Sequence, residues 1–243
     1  MYNSRPSIPA VTKNLLIINT IMWVASLLFS SKFDLANYLG LHYWEAEKFN
    51  AAQLFTYMFM HDTSGITHLF FNMFSLFMFG VILERVMGAK RFLLYYISCG
   101  VGAAIVQELV WTFTWQSTFV DVMAQLNSVS ASDIEAAMGP LLARGDVDAF
   151  QNMLCTVGAS GAVFGILLAF GMLFPNQPMY LMFIPIPIKA KWMVIGYGAI
   201  ELFFGISHTM QGVAHYAHLG GMLFGFIIIM YWKKKGMFNG GWY

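Results

Sequence analysis

The sequence predicts an all-α membrane protein: a bundle of six transmembrane helices with both termini in the cytoplasm. Three observations predict it. Of the 243 residues, 58% are hydrophobic and only 10% are charged, against about 25% charged in a soluble domain. Six long apolar stretches recur along the chain, most of them near the ~20 residues that a helix needs to cross ~30 Å of hydrocarbon. The few charges divide unevenly between successive connections. This composition excludes a soluble enzyme and a disordered chain. With 13 basic and 12 acidic residues, no overall field would attract nucleic acid.

The elements follow in order. Residues 15–30 form the first span. They follow Arg5 and Lys13 as the apolar core of a signal peptide follows its basic end, but the run is longer than such a core and has no small-x-small cleavage site leading into a soluble domain. An outer loop, 31–66, is rich in aromatics such as Tyr43, Trp44, Phe55 and Tyr57, which suits a membrane interface. The second span covers 68–87 and the third 92–115. A second outer loop, 116–156, is polar and acidic, with a helix expected near Ser132–Ala143. Neither loop is large enough to be an independent domain. The fourth span covers 157–174; a short interfacial piece, Met179 to Ile186, precedes the fifth, 192–206; the sixth covers 212–232. Continuous apolar runs exclude the alternation of a membrane β-barrel, and helices satisfy their own backbone groups in lipid. The chain, 1–243, reads as one membrane domain.

Charge sets the orientation. With a cytoplasmic N-terminus, the inner connections hold Arg5, Lys13, Arg85, Lys90, Arg91, Lys189, Lys191 and Lys233 to Lys235, leaving Lys32, Lys48 and Arg144 outside. Basic residues favour the cytoplasmic side. The acidic residues Asp34, Glu45, Glu47, Asp62, Asp121, Asp133, Glu135, Asp146 and Asp148 fall in the outer loops. Cys99 and Cys155 form no CxxC pair, so no zinc or thioredoxin-type motif is present.

Spans two, four and six all run inward, and each opens on polar residues. His68 and Asn72, four apart, share one helix face. Ser160 falls ~5 Å and His218 ~9 Å below the expected starts of spans four and six, so the four side chains can meet in the outer half of the membrane. Gly161 and Gly165, and Ala217, Gly221 and Gly225, are small residues at four-residue steps, which let membrane helices approach closely. Gly158 and Gly161 keep the backbone around Ser160 open.

A serine hydroxyl needs a base to become a nucleophile, and histidine is suited to that near neutral pH. His68 and Asn72 can donate to a developing oxyanion. No Asp lies in these spans, so the set reads as a Ser-His dyad; the membrane carboxylates Glu108 and Glu201 fall on spans three and five and are not placed against His218. His215 lies three residues before His218 on nearly the same face, while His42, His61 and His208 read as loop or turn residues without a role. On the residues alone, a hydrolase, a transport pathway and a helix-binding membrane protein all stay open. No HExxH motif points to zinc, and the pair Gly145-Asp146 lies in the acidic loop rather than in a span.

At these residues the sequence resembles the rhomboid intramembrane serine proteases. Gly158-Ala159-Ser160-Gly161 resembles the family's GxSG motif, Ala217-His218-Leu219-Gly220-Gly221 its AHxxG motif, and His68 to Asn72 its HxxxN motif. Glu84-Arg85-Val86-Met87-Gly88 is similar to the ending of its second helix. The likeness runs from about residue 14 to 232. It implies Ser160 as nucleophile, His218 as base, and an oxyanion hole of His68, Asn72 and the Ser160 N–H. It implies cleavage of transmembrane protein substrates in or beside their spans, from the lipid bilayer, with no cofactor, metal or nucleic acid. It further implies a multi-pass protein of the bacterial inner membrane, a first loop partly embedded beside the site, and a lateral substrate gate at the fifth helix.

A non-hydrolytic relative that binds transmembrane helices is the alternative. The chain departs from the family's pattern in four places. Ala52-Gln53-Leu54 replaces the Trp-Arg feature before Phe55-Thr56; the stretch from His61 to His68 is longer than usual; Phe164 stands where many members carry Tyr; and loop 116–156 exceeds that of the smallest members.

Overall fold

The structure is a computed structural model that describes residues 7–180, 186–207 and 213–238. It is mostly helical. Among the described residues, three helices are long and apolar enough to cross a membrane: Ala10–Phe29, Thr67–Met87 and Ala89–Asn127.

Helix α1 (Ala10–Phe29) is held at its start by a residue from far along the chain. The Glu84 carboxylate accepts from the Val11 N–H (3.0 Å), the Thr12 N–H (2.7 Å) and the Thr12 hydroxyl (2.8 Å). An acid is well placed there, because the first N–H groups of a helix lack intrahelical partners and carry the positive end of its dipole. The Glu84-Arg85 motif therefore serves the fold. Arg85 donates to the Ser7 carbonyl, and Gly88, at φ 78°, makes the corner into the next helix.

Glu84 belongs to a helix built in three parts: α4 (Thr67–Ser75), a wide π turn over Leu76–Gly80, and α5 (Val81–Met87). In the segment before it, α2 (Leu35–Leu39) and α3 (Gln53–Thr56) are short. Gln53 ties this loop together: its side chain accepts from the His42 N–H and donates to the carbonyls of Tyr38 and Lys48. His42 is buried, with its ring nitrogens on the carbonyls of Asn152 and Asn37. It anchors the loop rather than standing in solvent.

Helix α6 (Ala89–Asn127) continues well past the expected end at 115. Its polar residues there do not stop it, because Phe119 and Val120 still face apolar partners. They pack with Ile134, Leu141 and Val147 in a small second core. The outer segment 116–156 thus holds the end of α6 and three short helices: α7 (Ala131–Ala136), α8 (Met138–Ala143) and α9 (Asp146–Met153). The single helix expected over Ser132–Ala143 is broken at Ala137. Pro140 explains the break: a proline ring clashes with the carbonyl four residues earlier, here Ala136. A capping box of Ser130 and Asp133 starts α7.

Two short antiparallel ribbons qualify the all-α expectation. β1 (Leu41–His42) pairs with β2 (Cys155–Thr156), and β3 (Pro178–Tyr180) pairs with β4 (Pro187–Lys189). Of the expected interfacial piece Met179 to Ile186, residues 181–185 lie outside the described residues.

At the centre stand α10 (Ser160–Leu173) and α12 (His215–Lys234), packed on each other and on α6; α11 (Ala190–Ser207) packs on both of them. Small residues permit this closeness. A methyl on Gly221 would collide with the Gly161 carbonyl, and one on Gly165 would stand 2.5 Å from Cys99 Sγ. Tyr95, buried on α6, donates to the Gly165 carbonyl at 2.6 Å. Cys99 and Cys155 are both free.

Candidate active site

Ser160 is the first residue of α10, not a residue one turn into it. Gly158 sets that start: its φ of 131° is a conformation in which side-chain-bearing residues are strained. The Gly158 N–H is held by the Tyr57 carbonyl (3.0 Å), and the Tyr57 hydroxyl donates to the Gly100 carbonyl on α6 (2.7 Å). The first loop thereby fixes the strand entering α10. Val163 donates to Ala159, so the N–H groups of Ser160, Gly161 and Ala162 precede the helical ladder and are available to an anion.

His218 lies in the first turn of α12, which begins at His215 rather than at 212. Its Nε2 stands 2.8 Å from Ser160 Oγ. Phe164, one turn after Ser160, stacks on the imidazole with centroids 4.3 Å apart and planes 9° from parallel. The ring is clamped between Ser160 in front and Phe164 on its face.

His68 approaches from α4. Its Nδ1 accepts a long hydrogen bond, 3.4 Å, from the Asp62 N–H, so the neutral ring carries its proton on Nε2. That nitrogen faces the Cα of Gly158: a methyl there would be 2.9 Å from it and 3.5 Å from Ser160 Oγ. Asn72 is buried and gives one amide N–H to the His68 carbonyl at 2.9 Å, leaving its second N–H for another acceptor. His68, Asn72, Ser160 and His218 all line one cavity of about 1050 Å³.

The cavity continues away from these polar groups as an apolar slot. Phe71, Phe74 and Met78 line one side, and Met193 and Tyr197 of α11 line the other. Asp62 lies at the polar end. Its carboxyl is held below its ordinary range by the Ser64 hydroxyl and N–H.

Two features were missed in the sequence. His61, read as a loop residue without a role, does lie in a loop but is buried beside the site: it is 1% exposed, its ring lies 5.2 Å from that of His68, and burial pushes its pKa down to about 3. The larger correction concerns Glu201 on α11. Its Oε2 lies 2.9 Å from His218 Nδ1 and 2.7 Å from His215 Nδ1. A carboxylate does stand at the base, supplied by the fifth apolar run rather than by spans two, four or six. The signal was available: an ionisable residue in a membrane helix seeks a polar partner, and His215 and His218 share a helix face. Glu201, His215 and His218 are also the described groups whose donor atoms lie close enough, within 4.8 Å, to share a cation. His208 lies outside the described residues.

The rhomboid domain family model matches residues 48–235. This chain belongs to the rhomboid family. As a rhomboid it is a multi-pass membrane protein. It is similar to the rhomboid protease AarA of Providencia stuartii, 25% identical over 232 residues, which are 90% of this chain and 71% of that protein. It is similar to Rhomboid protein 1, mitochondrial, of Saccharomyces cerevisiae, 27% identical over 167 residues, 69% of this chain and 38% of that one. RHOMBOID-like protein 6, mitochondrial, of Arabidopsis thaliana is 27% identical over 177 residues, 72% of this chain and 42% of that one. The chain thus spans less than half the length of the two mitochondrial relatives. The matched region of the rhomboid domain includes His68, Asn72, Ser160, Glu201 and His218.

Proposed function

We propose that this rhomboid is an intramembrane serine endopeptidase that cleaves transmembrane proteins in or beside their spans. The observation that carries the reading is the 2.8 Å contact of Ser160 Oγ with His218 Nε2 at the wall of a cavity. Ser160 attacks the scissile carbonyl and His218 takes its proton. The oxyanion accepts from the Ser160 N–H, from His68 Nε2–H and from the free amide N–H of Asn72. His218 then protonates the leaving amine, and water hydrolyses the acyl-enzyme. Gly158 leaves room for the substrate carbonyl beside His68, whereas a methyl on Gly161 would meet Ala103 of α6, so Gly161 serves helix packing; Phe164 holds the imidazole plane.

The apolar slot between Phe71, Phe74 and Met78 on one side and Met193 and Tyr197 on the other suits a substrate segment entering sideways from the lipid. Its helix must unwind first, since helical hydrogen bonds protect its carbonyls. Small or helix-breaking residues near the cut favour this. The chain crosses the membrane six times as one domain, with both termini cytoplasmic and the active site in the outer half. The charge distribution supports that orientation. Its place is the bacterial inner membrane.

Cleavage of a tagged single-span substrate by the protein in proteoliposomes tests the reading. Loss of cleavage in both Ser160→Ala and His218→Ala is expected, and undiminished cleavage in either overturns it. A fluorophosphonate probe separates the protease from a relative that only binds helices: only the protease labels in a Ser160-dependent way.

A further inference from the structure

We propose that Glu201 is a positioning residue for the base: its carboxylate orients His218, and His215 holds that carboxylate in place. The inference rests on the protease reading and deepens it.

If His218 Nε2 is to take the Ser160 proton, that nitrogen must be the acceptor, and the ring proton sits on Nδ1. Nδ1 is buried and faces Glu201 Oε2 at 2.9 Å. The carboxylate therefore favours the one tautomer in which Nε2 is free to act, and it balances the imidazolium that forms during attack. At 2.9 Å the Nδ1–Oε2 contact places the carboxylate directly against the ring as it becomes charged.

Glu201 cannot hold that position unaided, because it sits on an apolar helix where an unpaired carboxylate is costly. His215 supplies the second contact, a 2.7 Å hydrogen bond from Nδ1 to the same oxygen. Phe204, on α11 with Glu201, packs on the His215 ring with centroids 5.6 Å apart. Glu201 is only 13% exposed, which keeps the pair from being screened by water. A cation is a poorer account of the cluster. Two ligands on a tetrahedral zinc, each about 2.0–2.1 Å from the metal, stand about 3.3 Å apart. Both nitrogens lie nearer to Oε2 than that.

The test uses the full chain in proteoliposomes, with substrate kinetics and the rate of fluorophosphonate labelling read side by side. Glu201→Gln keeps the shape and removes the charge. It is expected to lower kcat and the labelling rate by the same factor, about 10- to 100-fold, below the ~10⁴ of a fully aligned triad, with KM and thermal midpoint unchanged. Glu201→Asp is expected to recover part of the rate. A residue that merely held α11 in place would lower the midpoint without this paired loss.

Kinetics within twofold of wild type in Glu201→Gln overturn the proposal, as does a change confined to KM. If the Gln variant does not fold, His215→Gln decides. A fall of about 2- to 10-fold in labelling supports the proposal, and an unchanged rate overturns it. Wild-type protein that shows no Ser160-dependent labelling would instead sink the protease reading itself.

Discussion

The imidazole of His68 and the Cα of Gly158 face each other so closely that one added methyl would stand 2.9 Å from Nε2. That methyl would occupy the space between a ring N–H and the Ser160 hydroxyl, where a substrate carbonyl must enter. Gly158→Ala is therefore expected to reduce cleavage and fluorophosphonate labelling at least 100-fold, the loss of about 2.7 kcal/mol that one oxyanion donor supplies. The strained φ adds to it. Near-normal labelling would show that the carbonyl approaches from another side.

Phe164 lies flat on His218. An aromatic pair of this kind contributes about 0.5–1.5 kcal/mol, and here it holds the base in register with Ser160. Phe164→Ala should lower kcat about 2- to 10-fold with little change in KM, and Phe164→Leu should fall between. Kinetics on one substrate for the three proteins check this. A selective rise in KM would place Phe164 in substrate binding instead.

Glu84 is buried and accepts three hydrogen bonds from the first turn of α1, yet it does not line the site cavity. Its removal should cost stability and spare chemistry. Glu84→Ala is expected to lose about 2–3 kcal/mol, read as a lower thermal midpoint in detergent, with unchanged activity per folded molecule. A specific loss of kcat in the folded fraction would argue against a structural role.

How much of this was legible follows from where each signal sits. Ser160, His68, Asn72 and His218 belong to short local patterns with glycines nearby, and the cavity they line needs no further sequence clue. Glu201 is different. Its partners lie on another helix, and the packing of α11 on α12 brings them together. Tyr57 and Gln53 act through backbone carbonyls and N–H groups, which no side-chain pattern reports. The extension of α6 was hidden because Gln116, Ser117 and Asp121 read as the end of a span, while Phe119 and Val120 had partners in helices too short to anticipate. Two- and three-residue strands have no periodicity to read.

The crossing of α10 and α12 carries a prediction with its own control. A Cβ on Gly221 would strike the Gly161 carbonyl, next to Ser160 and one turn from His218, whereas a Cβ on Gly196 would meet nothing within 4 Å. Gly221→Ala must separate the two helices that carry the reacting pair. It should lower labelling more than about 10-fold, because small misplacements of catalytic groups are costly. Gly196→Ala, also a helical glycine, should label as wild type. Equal behaviour of the two variants would mean that the helices yield without moving Ser160 from His218.

His61 contributes to the pH dependence of the fold. Burial pushes its pKa from 6.5 down to about 3, so the folded protein keeps this ring neutral where the unfolded chain would protonate it. Between those two values the unfolded state binds more protons, and stability rises with pH. The contribution is intact above pH 6.5 and is lost as pH falls from there toward 3, by about 1.4 kcal/mol per pH unit. His61→Phe removes the titrating group and keeps a ring beside His68. Thermal midpoints in detergent from pH 7.5 to 5 should fall more steeply for wild type than for His61→Phe, the curves diverging below pH 6.5. Parallel curves would mean that His61 takes up its proton in the folded state, and acid lability would then have to arise elsewhere.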